Sequence, residues 1–305
     1  MHSPLPEHQP TTSARSGGLA GLASASMGDG AAAGRSTRLA RRAVIKVPEI
    51  TVYFWVAKML TTGMGETTSD FFNQRLGPVI AVPIMLIALA ASLALQFKAG
   101  RYVAWTYWLV VVMVAVFGTT AADALHVVLG IPYLISTAFY LIVLGVIFAA
   151  WYASEKTLSI HSICSPRREA FYWATVLATF ALGTAAGDMT ATTTHLGYLA
   201  SGVMFAVLIA VPAIAYWRLG LNSIVAFWLA YILTHPLGAS FADWEAVTAR
   251  HGGLGLGTGP VSVTLAIMIV GFVGYLAVTR IDVRGARVPA RSRVRRVLDP
   301  ELEFD

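Results

Sequence analysis

A tryptophan followed by a glycine ten residues later and an aspartate fifteen residues later occurs four times in this 305-residue chain. Successive tryptophans lie more than fifty residues apart. A pattern that recurs at such a long period predicts several copies of one structural unit. The tryptophans are Trp55, Trp108, Trp173 and Trp228, the glycines are Gly65, Gly118, Gly183 and Gly238, and the aspartates are Asp70, Asp123, Asp188 and Asp243.

Each unit contains two apolar segments of about 20 residues, the length that a helix needs to cross the hydrocarbon core of a bilayer. Only 12% of the residues are charged, compared with about 25% in an average soluble domain. We therefore predict an all-α fold, a polytopic membrane bundle of eight transmembrane helices arranged as four parallel two-helix repeats. The segments cover about 49–70, 77–97, 104–124, 131–152, 170–189, 197–217, 223–242 and 260–279.

The membrane domain is predicted to cover residues 47–280, with repeats at about 47–98, 100–153, 165–218 and 220–280. Residues 1–46 are rich in Gly, Ala, Ser and Pro, a composition typical of disordered segments, and residues 281–305 are predicted to form a solvated tail. All Lys and Arg residues except Lys58, Arg75 and Arg250 lie in the tails or in loops after even-numbered segments. This asymmetry predicts cytoplasmic termini and accounts for the basic charge without a nucleic-acid partner.

The odd-numbered segments carry the tryptophan, glycine and aspartate, and we call them the marked helices. The even-numbered segments contain no Asp, Glu, Lys, Arg or His, and we call them the plain helices. Plain helices can face lipid, so the marked helices are expected to surround a common polar centre, with the glycines permitting close approach. Each aspartate lies about 22 Å along the helix from its tryptophan. If the tryptophans mark the inner membrane interface, the aspartates lie toward the outer side.

Some polar residues of the marked helices are not repeated. We number positions by their distance after the tryptophan of each repeat. Position 11 is Glu66 in the first repeat but Thr119, Thr184 and Ala239 in the others. Glu66 and Asp70 are one helical turn apart on one face of the helix. Such a pair either shares a proton or binds a cation.

Two further ionisable residues occur in only one repeat. Lys58 is at position 3 of the first repeat and is a candidate charge partner for the carboxylates, although its long side chain could instead extend to the cytoplasmic interface. His235 is at position 7 of the fourth repeat, directly before Pro236. The proline predicts a broken helix there, with His235 as a ligand or proton relay, or simply as a donor to a backbone carbonyl.

The fourfold two-span unit and the stretch "KVPEITVYFWVAKMLTTGMGETTSDFF" resemble a family of bacterial integral membrane proteins. That family is built from four tandem copies of a repeat of unknown function. The resemblance covers about residues 47–280. It implies this fold and a multi-pass location in the bacterial inner membrane, and it implies no established activity.

The residues lead to a functional hypothesis of a secondary transporter or exporter for a small cation, coupled to protons. Its ion site would comprise Glu66, the four repeat aspartates and His235. Oxygen ligands suit Mg²⁺ or Mn²⁺, whereas a histidine favours a transition metal. Apart from such a divalent cation no cofactor is expected, and the expected partners are lipid and the cation. The oligomeric state is left open.

Two other functions are compatible with the same residues. In a non-transporting structural or sensory membrane protein, the aspartates would only lock the helices together. An intramembrane enzyme could use Glu66 and Asp70 as acid and base. The absence of HExxH, Walker and nucleophile-elbow motifs favours a protein that is not an enzyme.

Overall fold

A computed structural model describes residues 45–283, and all eight predicted apolar segments form helices. No strand occurs within the described residues, so the predicted all-α class is confirmed. The helices are α1 (Val52–Leu76), α2 (Pro78–Lys98), α3 (Ala104–Val127), α4 (Tyr133–Glu155), α5 (Pro166–Asp188), α6 (Tyr198–Leu219), α7 (Ser223–Ala246) and α8 (Thr258–Thr279).

Seven of these eight helices are long and apolar enough to cross a membrane. The exception is α1, which is 25 residues long but carries Lys58, Glu66, Asp70 and Arg75. In the plain helices α2, α4, α6 and α8, at most 22% of the most apolar window is buried, compared with at least 56% in α3, α5 and α7. Long apolar helices with mostly exposed surfaces indicate a multi-pass membrane protein.

The marked helices α1, α3, α5 and α7 form a closed central ring. Each packs against the next, and α7 packs against α1. Each plain helix packs mainly on the marked helix of the following repeat, so that α2 lies on α3, α4 on α5, and α6 on α7. The last helix, α8, completes the circle by packing on α1. The two helices of one sequence repeat therefore do not pack mainly on each other, because the plain helix lies on the marked helix of the next repeat.

The repeat glycines at position 10 allow the ring helices to touch. A β-carbon built on Gly65 would lie 2.4 Å from Cβ of Ala115, and one on Gly118 would lie 2.9 Å from Cβ of Phe180. These neighbours occupy position 7 of the next repeat. The same contact joins the third repeat to the fourth and the fourth to the first, through the pairs Gly183–His235 and Gly238–Thr62. Any larger residue at position 10 would push two ring helices apart.

The repeat tryptophans make a second set of contacts between neighbouring ring helices, at the end of the ring where the marked helices begin. The aromatic residue before each tryptophan contacts the tryptophan of the next repeat, with ring centroids 5.5 to 6.3 Å apart. Three of the four tryptophans are at most 4% exposed, so they pack inside the bundle. The pairs are Phe54–Trp108, Tyr107–Trp173, Tyr172–Trp228 and Phe227–Trp55.

The segment that leads into α1 packs on the tryptophan end of the ring. Nζ of Lys46 lies 2.7 Å from a carboxylate oxygen of Glu169, which is 1% exposed and also accepts a hydrogen bond from Gln96. Ile45 and Lys46 therefore belong to the fold, although the sequence placed them in the disordered segment. The rest of that segment, and the tail after Val283, lie outside the described residues.

Replacing Gly65 with alanine should lower the free energy of unfolding by about 1–3 kcal/mol, because the new methyl group meets both the side chain and the backbone of Ala115. The matched control is Gly145→Ala on α4, where a β-carbon would meet no atom within 4 Å. The control should leave stability unchanged or raise it by up to about 1 kcal/mol. Thermal unfolding in detergent compares the two, and an equal response would contradict the glycine contact.

Candidate functional site

A cavity of about 320 Å³ lies at the end of the ring where the marked helices terminate. Five carboxylates line it, one from position 11 and four from position 15. The structure thus brings together Glu66, Asp70, Asp123, Asp188 and Asp243. The remaining lining residues are Asn73, Gln74, Pro78, Val127, Tyr133 and Tyr198. No Lys, Arg or His is among them.

The carboxylates surround the cavity and do not form a compact cluster. Within residues 45–283, no three His, Cys, Asp or Glu side chains lie close enough together to hold a metal ion. The polar side-chain atoms that line the cavity are carboxylate, amide and phenol groups. These are the hard ligands that bind Mg²⁺, Ca²⁺ or water molecules around such ions.

Asp123 is held by its neighbours on α1. Nδ2 of Asn73 donates a hydrogen bond to Oδ2 of Asp123 at 3.1 Å, and Oγ of Ser69 lies 3.5 Å from the same oxygen. Ser69 also bonds to Thr120 at 2.8 Å. This carboxylate therefore links α1 to α3, in addition to lining the cavity.

Glu66 forms the floor of the cavity. Its Oε2 accepts hydrogen bonds from the hydroxyls of Thr119 and Thr184, each at 3.1 Å. Because α1 and α5 stand opposite each other in the ring, the bond to Thr184 crosses the central axis. The residues at position 11 of the first three repeats, Glu66, Thr119 and Thr184, therefore contact one another. Glu66 is 3% exposed.

His235 lies beneath Glu66 and does not line the cavity. Its Nε2 is 3.0 Å from Oγ1 of Thr184 and 3.7 Å from Oε2 of Glu66, and the side chain is 0% exposed. The predicted break at Pro236 is wrong, because α7 continues without interruption from Ser223 to Ala246. His235 is therefore positioned by ordinary helix packing, with its ring 4.4 Å from that of Phe180.

Lys58 is 0% exposed and lies farther down the same axis. Its ammonium donates to Oγ1 of Thr62 at 3.2 Å and lies over two aromatic rings, 3.8 Å from the centroid of Phe180 and 4.6 Å from that of Tyr231. No carboxylate within residues 45–283 lies within 4.0 Å of it. Neither predicted role of Lys58 is observed, since it neither pairs with an acid nor reaches the surface.

The interior of the ring is a stack of layers separated by one helical turn. Residues at positions 3, 7 and 11 are at most 3% exposed in all four repeats, and position 15 opens into the cavity. The sequence predicted position 15 and the single residues Lys58, His235 and Glu66 at positions 3, 7 and 11, but not the continuous buried stripe that these positions form below the cavity. Tyr133 and Tyr198 were not predicted, although both lie 25 residues after their tryptophans.

The chain matches the family described as Repeat of Unknown Function (DUF347) in four consecutive segments, 53–102, 106–157, 171–221 and 226–282. The chain belongs to this family. Each matched segment contains one marked and one plain helix, which confirms the resemblance stated from the sequence. No curated protein and no solved structure matches the chain.

In this member of the DUF347 repeat family, the two buried lysines should respond oppositely to replacement by methionine. Lys46→Met leaves the buried Glu169 without its ion pair and should cost about 3–5 kcal/mol of stability. Lys58→Met removes an ammonium that has no carboxylate partner among the described residues. It should leave stability unchanged or raise it, because it removes the cost of burying an unpaired amine.

Thermal unfolding of both variants in the same detergent measures the difference. Equal losses would mean that Lys58 is held by a charge interaction as strong as that of Lys46. The conservative variant Lys46→Arg keeps the charge, so its loss of stability should be smaller than that of Lys46→Met.

Proposed function

We propose that this protein is a secondary transporter or exporter of a small cation and that the carboxylate-lined cavity is its substrate site. We place it in the bacterial inner membrane with both termini in the cytoplasm, so that the cavity faces outward. The observation that carries the proposal is the composition of the lining, which has five carboxylates and no basic side chain.

Electrostatics supports a bound cation in this cavity. Carboxylates that line the same cavity repel one another, and the repulsion grows as the protein replaces the water between them. Polar contacts such as Asn73 to Asp123 relieve only part of this repulsion. The remaining negative charge must be balanced by protons or by cations from solution, and exchange between the two provides a means of coupling transport to a proton gradient.

The size and chemistry of the cavity favour a cation that keeps part of its water shell. At about 30 Å³ per water, an ion with six waters occupies roughly 200 Å³, which fits within the cavity volume of about 320 Å³. Mg²⁺ releases its water reluctantly and is commonly bound through several retained waters. The only metal ligands that the lining side chains offer are oxygen atoms, and His235 stands outside the lining, which favours Mg²⁺ or Mn²⁺ over softer transition metals.

The other end of the ring is closed. Below Glu66, the axis is filled by Phe180 and Lys58, and the aromatic pairs of the repeat tryptophans follow. A cation that reaches Glu66 therefore has access from one side only. Transport requires the ring helices to rearrange, as alternating access does in other carriers.

Cation binding can be tested by thermal unfolding of the detergent-purified protein in Mg²⁺, Mn²⁺, Ca²⁺ and Na⁺. A cation at 100 times its dissociation constant should stabilise the wild type by about 2.7 kcal/mol. The variants Asp70→Asn, Asp188→Asn and Asp243→Asn should lose this gain, because each removes a lining charge. The stabilising cation should also enter wild-type proteoliposomes faster under a pH gradient.

The matched control is Glu245→Gln, on the same helix as Asp243 but outside the cavity lining. It should retain the full cation response. A wild type that responds to none of the four cations, together with aspartate variants that only melt earlier, would rule out this function and assign the aspartates a structural role.

A further inference from the structure

We propose that a divalent cation bridges Asp70 of α1 and Asp243 of α7, and that these two carboxylates are its only direct protein ligands. The bound cation thereby joins the first and the last of the marked helices across the cavity. This bridge rests on the proposed function, because the cation is the one that the cavity is proposed to transport. It adds which of the five lining carboxylates touch the ion.

The other three carboxylates of the cavity already have partners in the protein. Glu66 accepts hydrogen bonds from two threonine hydroxyls, and Asp123 accepts one from the side-chain amide of Asn73. Asp188 interacts with the hydroxyl of Tyr133. Hydrogen-bond donors compensate a carboxylate for the water that it loses on burial. These three side chains are therefore stabilised by the protein itself, without direct contact to an ion.

Asp70 and Asp243 have no such donor. Within residues 45–283, no hydrogen bond or ion pair is made by either side chain. Asp243 is only 5% exposed, yet it lines the cavity. A carboxylate that is buried this deeply costs free energy unless a donor or a metal ion compensates it. Asp243 is therefore a buried ligand that faces the cavity and lacks a partner from the described part of the chain.

The two free aspartates lie at the one interface of the ring that has no polar link among the described residues. Side-chain hydrogen bonds join the other three pairs of neighbouring ring helices. They connect α1 to α3 through Asn73 and Asp123, α3 to α5 through Thr119 and Thr184, and α5 to α7 through Thr184 and His235. Between α7 and α1, Nε2 of His235 approaches Oε2 of Glu66 only to 3.7 Å. A cation between Asp70 and Asp243 supplies the missing link.

A single ion can be reached from both helices. The helices α1 and α7 pack directly on each other, with Gly238 against Thr62. Asp70 and Asp243 both occupy position 15 and line the same cavity. Of the other three repeat aspartates, Asp70 has the strongest electrostatic effect on Asp243. A cation at this interface therefore relieves the largest repulsion between Asp243 and another aspartate.

Two direct ligands suit a divalent cation that keeps part of its water shell. In the described part of the chain, no three His, Cys, Asp or Glu side chains lie close enough together to hold an ion without water. Mg²⁺ is commonly bound through one or two carboxylates and several retained waters. The two negative charges of Asp70 and Asp243 balance a divalent ion, whereas one monovalent ion leaves a charge uncompensated. The bridge therefore favours divalent over monovalent cations.

Calorimetric titration of the detergent-purified protein with Mg²⁺ and Mn²⁺ tests the bridge. Asp70→Asn and Asp243→Asn should each raise the dissociation constant on the order of 100-fold, because each removes a direct ligand. The double variant should bind no more weakly than the weaker single variant, since both changes destroy the same site. Without a cation, both single variants should unfold no earlier than the wild type, because neither carboxylate holds a hydrogen bond. A purely structural role predicts earlier unfolding.

The matched control is Asp123→Asn, which makes the same change of charge at position 15 of the second repeat. Its new amide oxygen can still accept the hydrogen bond from Asn73. The dissociation constant should rise by about tenfold at most, as for a partner that does not touch the ion. The control thus separates direct ligation from the general effect of a lost charge.

Cysteine in place of a direct ligand should change which metal binds, because thiolates favour Zn²⁺ over hard ions. The background is Cys164→Ser, which removes the one native cysteine of the chain. In this background, Asp70→Cys and Asp243→Cys should each raise the ratio of Zn²⁺ to Mn²⁺ affinity by about tenfold or more. Asp123→Cys should leave the ratio unchanged.

The outcomes distinguish the bridge from the proposed function. If Asp123→Asn weakens binding as much as Asp70→Asn and Asp243→Asn do, the bridge is wrong, while a cation site formed by the whole cavity is still supported. An unchanged metal preference in Asp70→Cys or Asp243→Cys would also contradict direct ligation. A wild type that binds neither Mg²⁺ nor Mn²⁺ would overturn the bridge, whereas stabilisation by Na⁺ alone would leave the transporter proposal standing.

Discussion

The contact between the glycine of each repeat and position 7 of the next sets the distance between the ring helices, and the rest of the interior depends on that distance. Because the glycines bring the helices together, side chains from α1 can cross the centre and meet α5, as Glu66 does with Thr184. A wider ring would leave a water-filled channel in place of these contacts. The glycines therefore determine whether the polar residues seal the axis or only line it.

The structure combines a symmetric scaffold with an asymmetric interior. The tryptophans and glycines recur in all four repeats and make equivalent contacts, and the four aspartates line one cavity. Positions 3, 7 and 11 differ from repeat to repeat and place one lysine, one histidine and one glutamate on the axis. Replacing a residue at position 3 or 11 need not disturb the ring, since the glycine contacts between the helices are made by position 7. Because the repeated residues hold the helices together, the non-repeated polar residues of the interior can differ while the fold is preserved.

The helices and the depth of the aspartates could be predicted from the sequence, because apolar length and spacing along a helix are local properties. The environment of Lys58 could not, since residue spacing gives the height of a side chain but not the opposite helix that it meets. The same limit applies to Asn73, whose bond to Asp123 depends on the rotation of two helices about their axes. The continuous helix at Pro236 was also missed, because packing against neighbouring helices can outweigh the local effect of a proline.

The packing of α8 on α1 has a consequence for how this protein is made. Of the eight described helices, α1 is synthesised before the others and is the most polar, and its full set of neighbours exists only when α7 and α8 have been translated. Until then, Lys58 and Glu66 of α1 lack the partners that surround them in the folded protein. Closure of the ring is therefore a late event in the biogenesis of this helical domain.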